Sequence, residues 1–240
     1  MKLIDSMVIR HENPWEPELD GLFREMDGTV KFFYKENQSV VAQTLEGKRE
    51  VWYTAPEGKR LELPRYWAGV MKGLHPTMQV WRPDDPIPVY IGKYKITSPS
   101  QWSYLCERDG EEVWRFKGYA WRYTVIDQYL SNIYFGTAGQ GGYFYMLNLH
   151  TGEPLLKLKT GGTVHISARR GERLYLLQQD KKAYLVCIDL KDGTILERLE
   201  LPGKADMHSA IALLGDTVHA VTFTYKGGPV KDALWNRVEV

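Results

Sequence analysis

The chain has 240 residues, 43% hydrophobic and 25% charged, with 31 Lys and Arg against 30 Asp and Glu, a formal net charge of +1. Extended disorder is excluded by that composition, and the even charge lacks the dense basic field that nucleic-acid binders carry. The two cysteines, Cys106 and Cys187, cannot build a disulfide framework, and aromatic residues at 12% favour pleated, half-buried strands.

The chain opens with "MKLIDSMVIRHENPWEP", interrupted by Asp5, Arg10 and Glu12. It lacks the apolar core of a signal peptide or a membrane span, so a soluble, cytoplasmic protein with no membrane partner is expected. "KLIDSMVI" reads as a strand without a hairpin partner nearby. "TVKFFY" and "VVAQTLEGKREVWYT" follow as three strands, the last two joined at Gly47. Next comes an irregular, proline-rich stretch containing Trp67, Trp81 and "RPDDPIP" and ending near Trp102. Proline keeps to edges and loops of sheets, so this reads as one unit with a long loop, with a decayed extra unit as the alternative. Regular hairpins then return: "SYLCERDGEEVWRF" on Gly110, "YMLNLHTGEPLLKL" on Gly152 and "VCIDLKDGTILERL" on Gly193. Further strands stand before them, "NIYFGT" and "RLYLLQ", preceded by "RYTVID" and "VHISAR". The end supplies only three strands, "SAIALL", "TVHAVTFTYK" and "VKDALWNRVEV". Arg169-Arg170 and Lys181-Lys182 read as solvated turn charges. "GTAGQGGYF" reads as a hairpin tip, because a phosphate loop would need a helix after it.

Gly110, Gly152 and Gly193 recur at a period of about 42 residues, the length of a four-stranded propeller blade. One blade cannot cover both its faces, whereas blades stacked about an axis cover one another. The expected fold is therefore an all-β propeller of about five four-stranded blades, forming a single domain. The approximate blades are 17–56, 57–118, 119–160, 161–203 and 204–240, with the N-terminal strand 2–10 completing and closing the last.

"NIYFGTAGQGGYFYMLNLHTGEPLLKLK" and "RLYLLQQDKKAYLVCIDLKDGTILERLE" resemble the PQQ-like repeats of quinoprotein alcohol dehydrogenase-like propellers. The resemblance is good over 119–203, weak over 29–56 and 100–118, and poor over 57–99. It implies a fold; propellers of this kind serve as dehydrogenases, scaffolds, receptors and lectins. Cofactor-binding members resemble larger rings with a Trp late in each repeat and, in some, adjacent cysteines at the quinone. Here Trp follows the turn only at Trp52 and Trp114, and no Cys-Cys occurs, so no cofactor is expected.

Candidate chemistry is sparse. None of the six histidines forms an H-x-H or H-x-x-x-H pair, so no metal site is expected. His165 and His208 fall at one register of the innermost strands of their blades, and Arg122 and Tyr123 occupy the matching place in the third blade. Innermost strands line a propeller's axis, so these four form a candidate funnel site. Asp20, Asp127 and Asp206 lie near the same strands, as a glycosidase acid pair would require. Trp67, Trp81 and Trp102 form a candidate partner surface. The leading expectation is a non-enzymatic binding or interaction module for a protein or small molecule. The alternative is a carbohydrate-binding or glycoside-hydrolysing five-bladed propeller.

Overall fold

Side chains alternate between the two faces of a strand. In the middle strands of this chain the apolar residues fall on both faces. All five residues of Asn132–Gly136 and the four central residues of Tyr143–Asn148 are buried. Such strands need a cover on each side, and the computed structural model shows how it is supplied. It describes residues 1–10, 21–24, 30–36, 38–54, 57–58, 89–100, 102–118, 126–136, 142–161, 167–205, 209, 211–225 and 230–240.

Five four-stranded antiparallel sheets follow one another along the chain, each the blade of a β-propeller. The N-terminal strand β1 (Lys2–Arg10) is held over for the last. Blade 1 comprises β2 (Gly21–Arg24), β3 (Val30–Glu36), β4 (Ser39–Thr44) and β5 (Arg49–Thr54). Blade 2 comprises β6 (Val89–Ile91), β7 (Tyr94–Ser100), β8 (Ser103–Arg108) and β9 (Glu111–Lys117). Blade 3 comprises β10 (Ile126–Tyr129), β11 (Asn132–Gly136), β12 (Tyr143–Asn148) and β13 (Pro154–Lys159). Blade 4 comprises β14 (Ser167–Arg170), β15 (Arg173–Gln179), β16 (Ala183–Asp189) and β17 (Ile195–Leu201). Blade 5 comprises β18 (Ile211–Leu214), β19 (Thr217–Tyr225), β20 (Val230–Glu239) and then β1 as its outermost strand. Within a blade the strands are a to d, from the axis outward. The part of the irregular stretch from Val89 onward is thus two ordinary strands, β6 and β7, whereas 59–88 lie outside the described residues.

β1 completes blade 5 by pairing with β20, Met7 opposite Trp235 and Ser6 opposite Asn236. Arg237 Nε donates to Asp5 Oδ1 at 2.8 Å, and its Nη2 donates to the other carboxylate oxygen. The last blade is therefore stitched from both chain ends. Strand β18 lies against both β14 and β2, which places blade 5 between blades 4 and 1.

The seams between blades are the core. Tyr134, Phe144 and Met146 of blade 3 meet Leu174, Leu176, Val186 and Ile188 of blade 4. Ile96, Tyr104, Cys106 and Trp114 of blade 2 meet Ile133, Phe135, Tyr145 and Leu147 of blade 3. Each fully buried aliphatic or aromatic side chain contributes about 1.5–3 kcal/mol. The outermost strands β13 and β17 are mostly exposed, as edges facing solvent should be.

The turn glycines set the seam geometry. Gly152 has φ +72 and sits beneath Trp114, where an added Cβ would lie 2.6 Å from the indole. The indole Nε1–H donates to the Leu149 carbonyl at 2.7 Å. Gly193 takes the same place in blade 4 with φ +81, and meets Leu156 and Leu155 of blade 3 instead. Trp114 is thus a seam plug.

The a–b turns have two residues in blades 2 to 5. Their first residue is Gly92, Leu130, Gly171 or Gly215, with φ of 58, 51, 57 and 57. Glycine adopts this conformation freely, whereas other L-residues lose roughly 1–2 kcal/mol. Leu130 alone carries that strain among these four turns.

Candidate functional site

Antiparallel strands of this order place the a–b and c–d turns at one end of the blades. The b–c hairpins and the blade-to-blade connections lie at the other. Arg122, Tyr123, His165, His208, Trp67 and Trp81 lie outside the described residues, as do Asp20 and Asp206. Trp102 and Asp127 are described, and they stand in separate places.

Trp102 sits at the b–c hairpin of blade 2 and is 60% exposed. Its backbone is pinned on both sides: its N–H donates to Ser100 Oγ at 3.3 Å, and its carbonyl accepts from Gly118 N–H at 3.2 Å. Ser98 Oγ donates to the Ser100 carbonyl at 2.8 Å, and the Ser100 and Ser103 hydroxyls share a bond of 2.9 Å. The result is a braced tip presenting an exposed indole.

Asp127 lies on the innermost strand β10, inside a network that spans blades 3 and 4. Tyr134 Oη donates to Asp127 Oδ2 at 2.6 Å. Arg169 Nη1, from β14, donates to Tyr134 Oη at 3.3 Å and to the Gln128 carbonyl at 3.1 Å. The Arg169 guanidinium also stands 3.8 Å from the Asp127 carboxylate and over the Tyr129 ring. Burial, reinforced by the Asp127 charge, pushes the Tyr134 phenol up, so it stays protonated and keeps donating. Asp127 is therefore engaged in joining two blades. Arg170 points to the other face of β14 and pairs with Asp216 of blade 5. Arg169 and Arg170 are thus ties between blades on an innermost strand, where the sequence suggested loose turn charges. Adjacent strand residues face opposite ways, and here each way meets a different blade. Lys182 does stand at a hairpin tip, paired with Glu200 at 2.6 Å.

Two buried groups escaped the sequence reading. His219 is 3% exposed and its Nδ1 accepts from Trp235 Nε1 at 3.1 Å. Burial, with Arg237 nearby, pushes its pKa down to about 4 against a raising influence of Asp5, so the imidazole is neutral. Asn132 donates from Nδ2 to the carbonyls of Leu190 and Lys191 at 3.0 and 2.7 Å, capping the c–d turn of the next blade. Only the alternation of "VHAVTF" could have flagged His219, and nothing local marks Asn132. Burial pushes the Cys106 thiol up to about 11, with Glu107 adding to it, and raises Cys187 as well; neither is a ready nucleophile.

No family model matches the chain, and no curated protein matches it. Among solved structures it is similar to BamB from Moraxella catarrhalis, at 15% identity, covering 88% of this chain and 57% of that one, TM-score 0.39. It is similar too to the computationally designed Ika8 protein, at 11% identity, with 90% and 70% covered and a TM-score of 0.41. The β-propeller domain of Swd1 (Cps50) from Myceliophteria thermophila matches at 11% identity, with 86% and 66% covered and a TM-score of 0.37. The chain therefore spans little more than half the length of BamB. Its resemblance to PQQ-like propellers is one of fold, which the five sheets themselves establish.

Proposed function

We propose that the chain is a non-enzymatic propeller module that binds a protein or small-molecule partner at the b–c end of its blades. Trp102 carries this reading. An indole 60% exposed on a hairpin braced from both sides has little motion to lose on contact, and Trp is among the commonest interface anchors. The described titratable groups near the axis support it, since Asp127, Arg169, Arg170 and Asp216 are bound to one another across seams. Trp102→Ala removes an exposed side chain, so stability should change by less than about 0.5 kcal/mol. The test compares proteins recovered on immobilised native chain and on Trp102→Ala. Selective loss of one protein from the variant supports the module, whereas equal recovery counts against this site.

A carbohydrate partner is the second reading. The exposed Trp102 indole, on a hairpin that also carries Ser98, Ser100 and Ser103, favours it, because sugars combine an apolar face with a rim of hydroxyls. An oligosaccharide array probed with both proteins tests this arm, and release of sugar from chromogenic glycosides would overturn the non-enzymatic reading. The funnel set Arg122, Tyr123, His165 and His208 belongs to the same proposal. Joint replacement of His165 and His208 by Ala should weaken a ligand held at the axis and leave one held at Trp102 unaffected.

A further inference from the structure

The a–b turn of blade 3 breaks the pattern of its neighbours in two ways at once. Where blades 2, 4 and 5 place Gly92, Gly171 and Gly215, blade 3 places Leu130 at φ 51, a conformation unfavourable for a side chain. Leu130 is also 67% exposed, more than any other large hydrophobic among the described residues. Strain at a turn is ordinarily offset by packing within the fold, and the Leu130 side chain is turned to solvent.

The turn is nonetheless held firmly. Gln128 Nε2 donates to the Leu130 carbonyl at 2.6 Å, and Gln128 N–H donates to Asp127 Oδ1 at 2.7 Å. The Gln128 carbonyl in turn accepts from Arg169 of the next blade at 3.1 Å. Both hydrogen bonds of Arg169 leave from Nη1. Its Nε–Nη2 edge, a fork matched to a carboxylate, takes no partner among the described residues, and the side chain is 34% exposed. Beside it lies the Tyr129 ring. An aliphatic knob, a tyrosine and an arginine fork therefore stand together at the inner rim of the blade 3–4 seam.

From this we infer that the Leu130 tip is a preorganised anchor for a protein partner, one that offers an apolar socket for the isobutyl group with an Asp or Glu beside it for Arg169. A convex tip cannot enclose a small molecule, whose sites are concave. One arginine beside Asp127 does not suit a polyanion, and a single leucine is too small to hold a membrane surface. The inference rests on the interaction-module reading but uses the opposite end of the blades from Trp102, so the two can fail separately.

The test starts with Leu130→Gly in the full chain. Strain relief should raise the thermal midpoint by about 2 °C, given the shift of 2–4 °C per unit of stability usual for a chain of this size. In parallel, a benzophenone side chain replaces Ser131, the exposed second residue of the turn, and is photo-activated in cells that produce the protein. The cross-linked protein is identified by mass and purified, and its dissociation constant is measured against native chain, Leu130→Gly, Arg169→Lys and Trp102→Ala. The expected result is one protein whose affinity falls at least tenfold with Leu130→Gly and severalfold with Arg169→Lys, and is unchanged by Trp102→Ala. The inference is overturned if Leu130→Gly lowers the thermal midpoint. It is equally overturned if nothing, a lipid or only a second copy of the chain cross-links, or if the captured protein binds Leu130→Gly as tightly as native.

Discussion

The seam between blades 2 and 3 and the seam between blades 3 and 4 solve one problem with different residues. In each, the c–d turn of the later blade exposes a carbonyl to the earlier one, that of Leu149 in the first seam and of Leu190 in the second. Trp114 covers the first turn, its ring over Gly152 and its N–H on the Leu149 carbonyl. In the second, Leu156 covers Gly193 while Asn132, from another strand, supplies the hydrogen bond to Leu190. One Trp does the work that a Leu and an Asn share in the next seam. The requirement the repeat preserves is therefore a capped carbonyl under an apolar lid. The identity of the residue that provides it is free to change.

Removing Trp114 should produce the largest effect. It is 6% exposed, so Trp114→Ala both empties the lid and strands the Leu149 carbonyl. A loss of about 3–5 kcal/mol is expected, read as a fall in the denaturant midpoint at unchanged slope. A loss below 1 kcal/mol would show that the seam closes without its lid.

Within the fifth blade, the buried indole of Trp235 on β20 donates to the His219 ring on the neighbouring strand β19 instead of to a carbonyl of another blade. This buried pair should make the fold sensitive to acid. With a folded pKa of about 4 against the usual 6.5, the unfolded chain binds more protons between those values. Stability is therefore complete above about pH 6.5 and is lost as pH falls toward 4, by about 3 kcal/mol in all. Unfolding free energies across that range measure it. His219→Gln, which can still accept from Trp235, should flatten the curve between pH 6.5 and 4, whereas an equally steep curve in the variant would assign the loss to other groups.

Much of this was legible in the sequence, for a physical reason. Strand alternation and a turn glycine are local signals, so the repeat and the blade number could be read from "VCIDLKDGTILERL" and its relatives, and a last unit of only three strands left "KLIDSMVI" to complete blade 5. Seam chemistry is not local. Asn132 and Leu190 are 58 residues apart in sequence, and no pattern within one blade announces that an Asn will cap the next. Trp114 and Trp102 show the same limit: residue type alone does not separate them, yet one plugs a seam and the other stands exposed. Arg169 and Arg170 read as turn charges because a four-residue strand such as β14 is too short to declare its period.

A smaller loss is expected from Asn132→Ala, which leaves the Leu190 and Lys191 carbonyls without their donor. Stranding a buried acceptor costs about 1–3 kcal/mol, and the lid over Gly193 should limit the loss to the lower half of that range. Calorimetry of the single variant and of Asn132→Ala combined with Trp114→Ala should give additive losses if each seam caps its own turn.

The finest comparison is between the two glycines. Both have positive φ, so Ala at either position should cost about 1 kcal/mol from the backbone alone. At Gly193 the new methyl would lie 3.1 Å from Leu156 Cβ, a contact that a few tenths of an ångström relieves. At Gly152 it would lie 2.6 Å from a Trp114 ring that is also held by its hydrogen bond to Leu149. Gly152→Ala should therefore cost about 1–2 kcal/mol more than Gly193→Ala, the range for overfilling a packed site. In the background of Trp114→Gly, which removes the Cβ that would lie at 2.7 Å as well as the ring, that excess should vanish, because the methyl then enters the space the side chain left. An excess that persists without the indole would place the constraint in the backbone, and the lid would no longer explain why glycine stands at that turn.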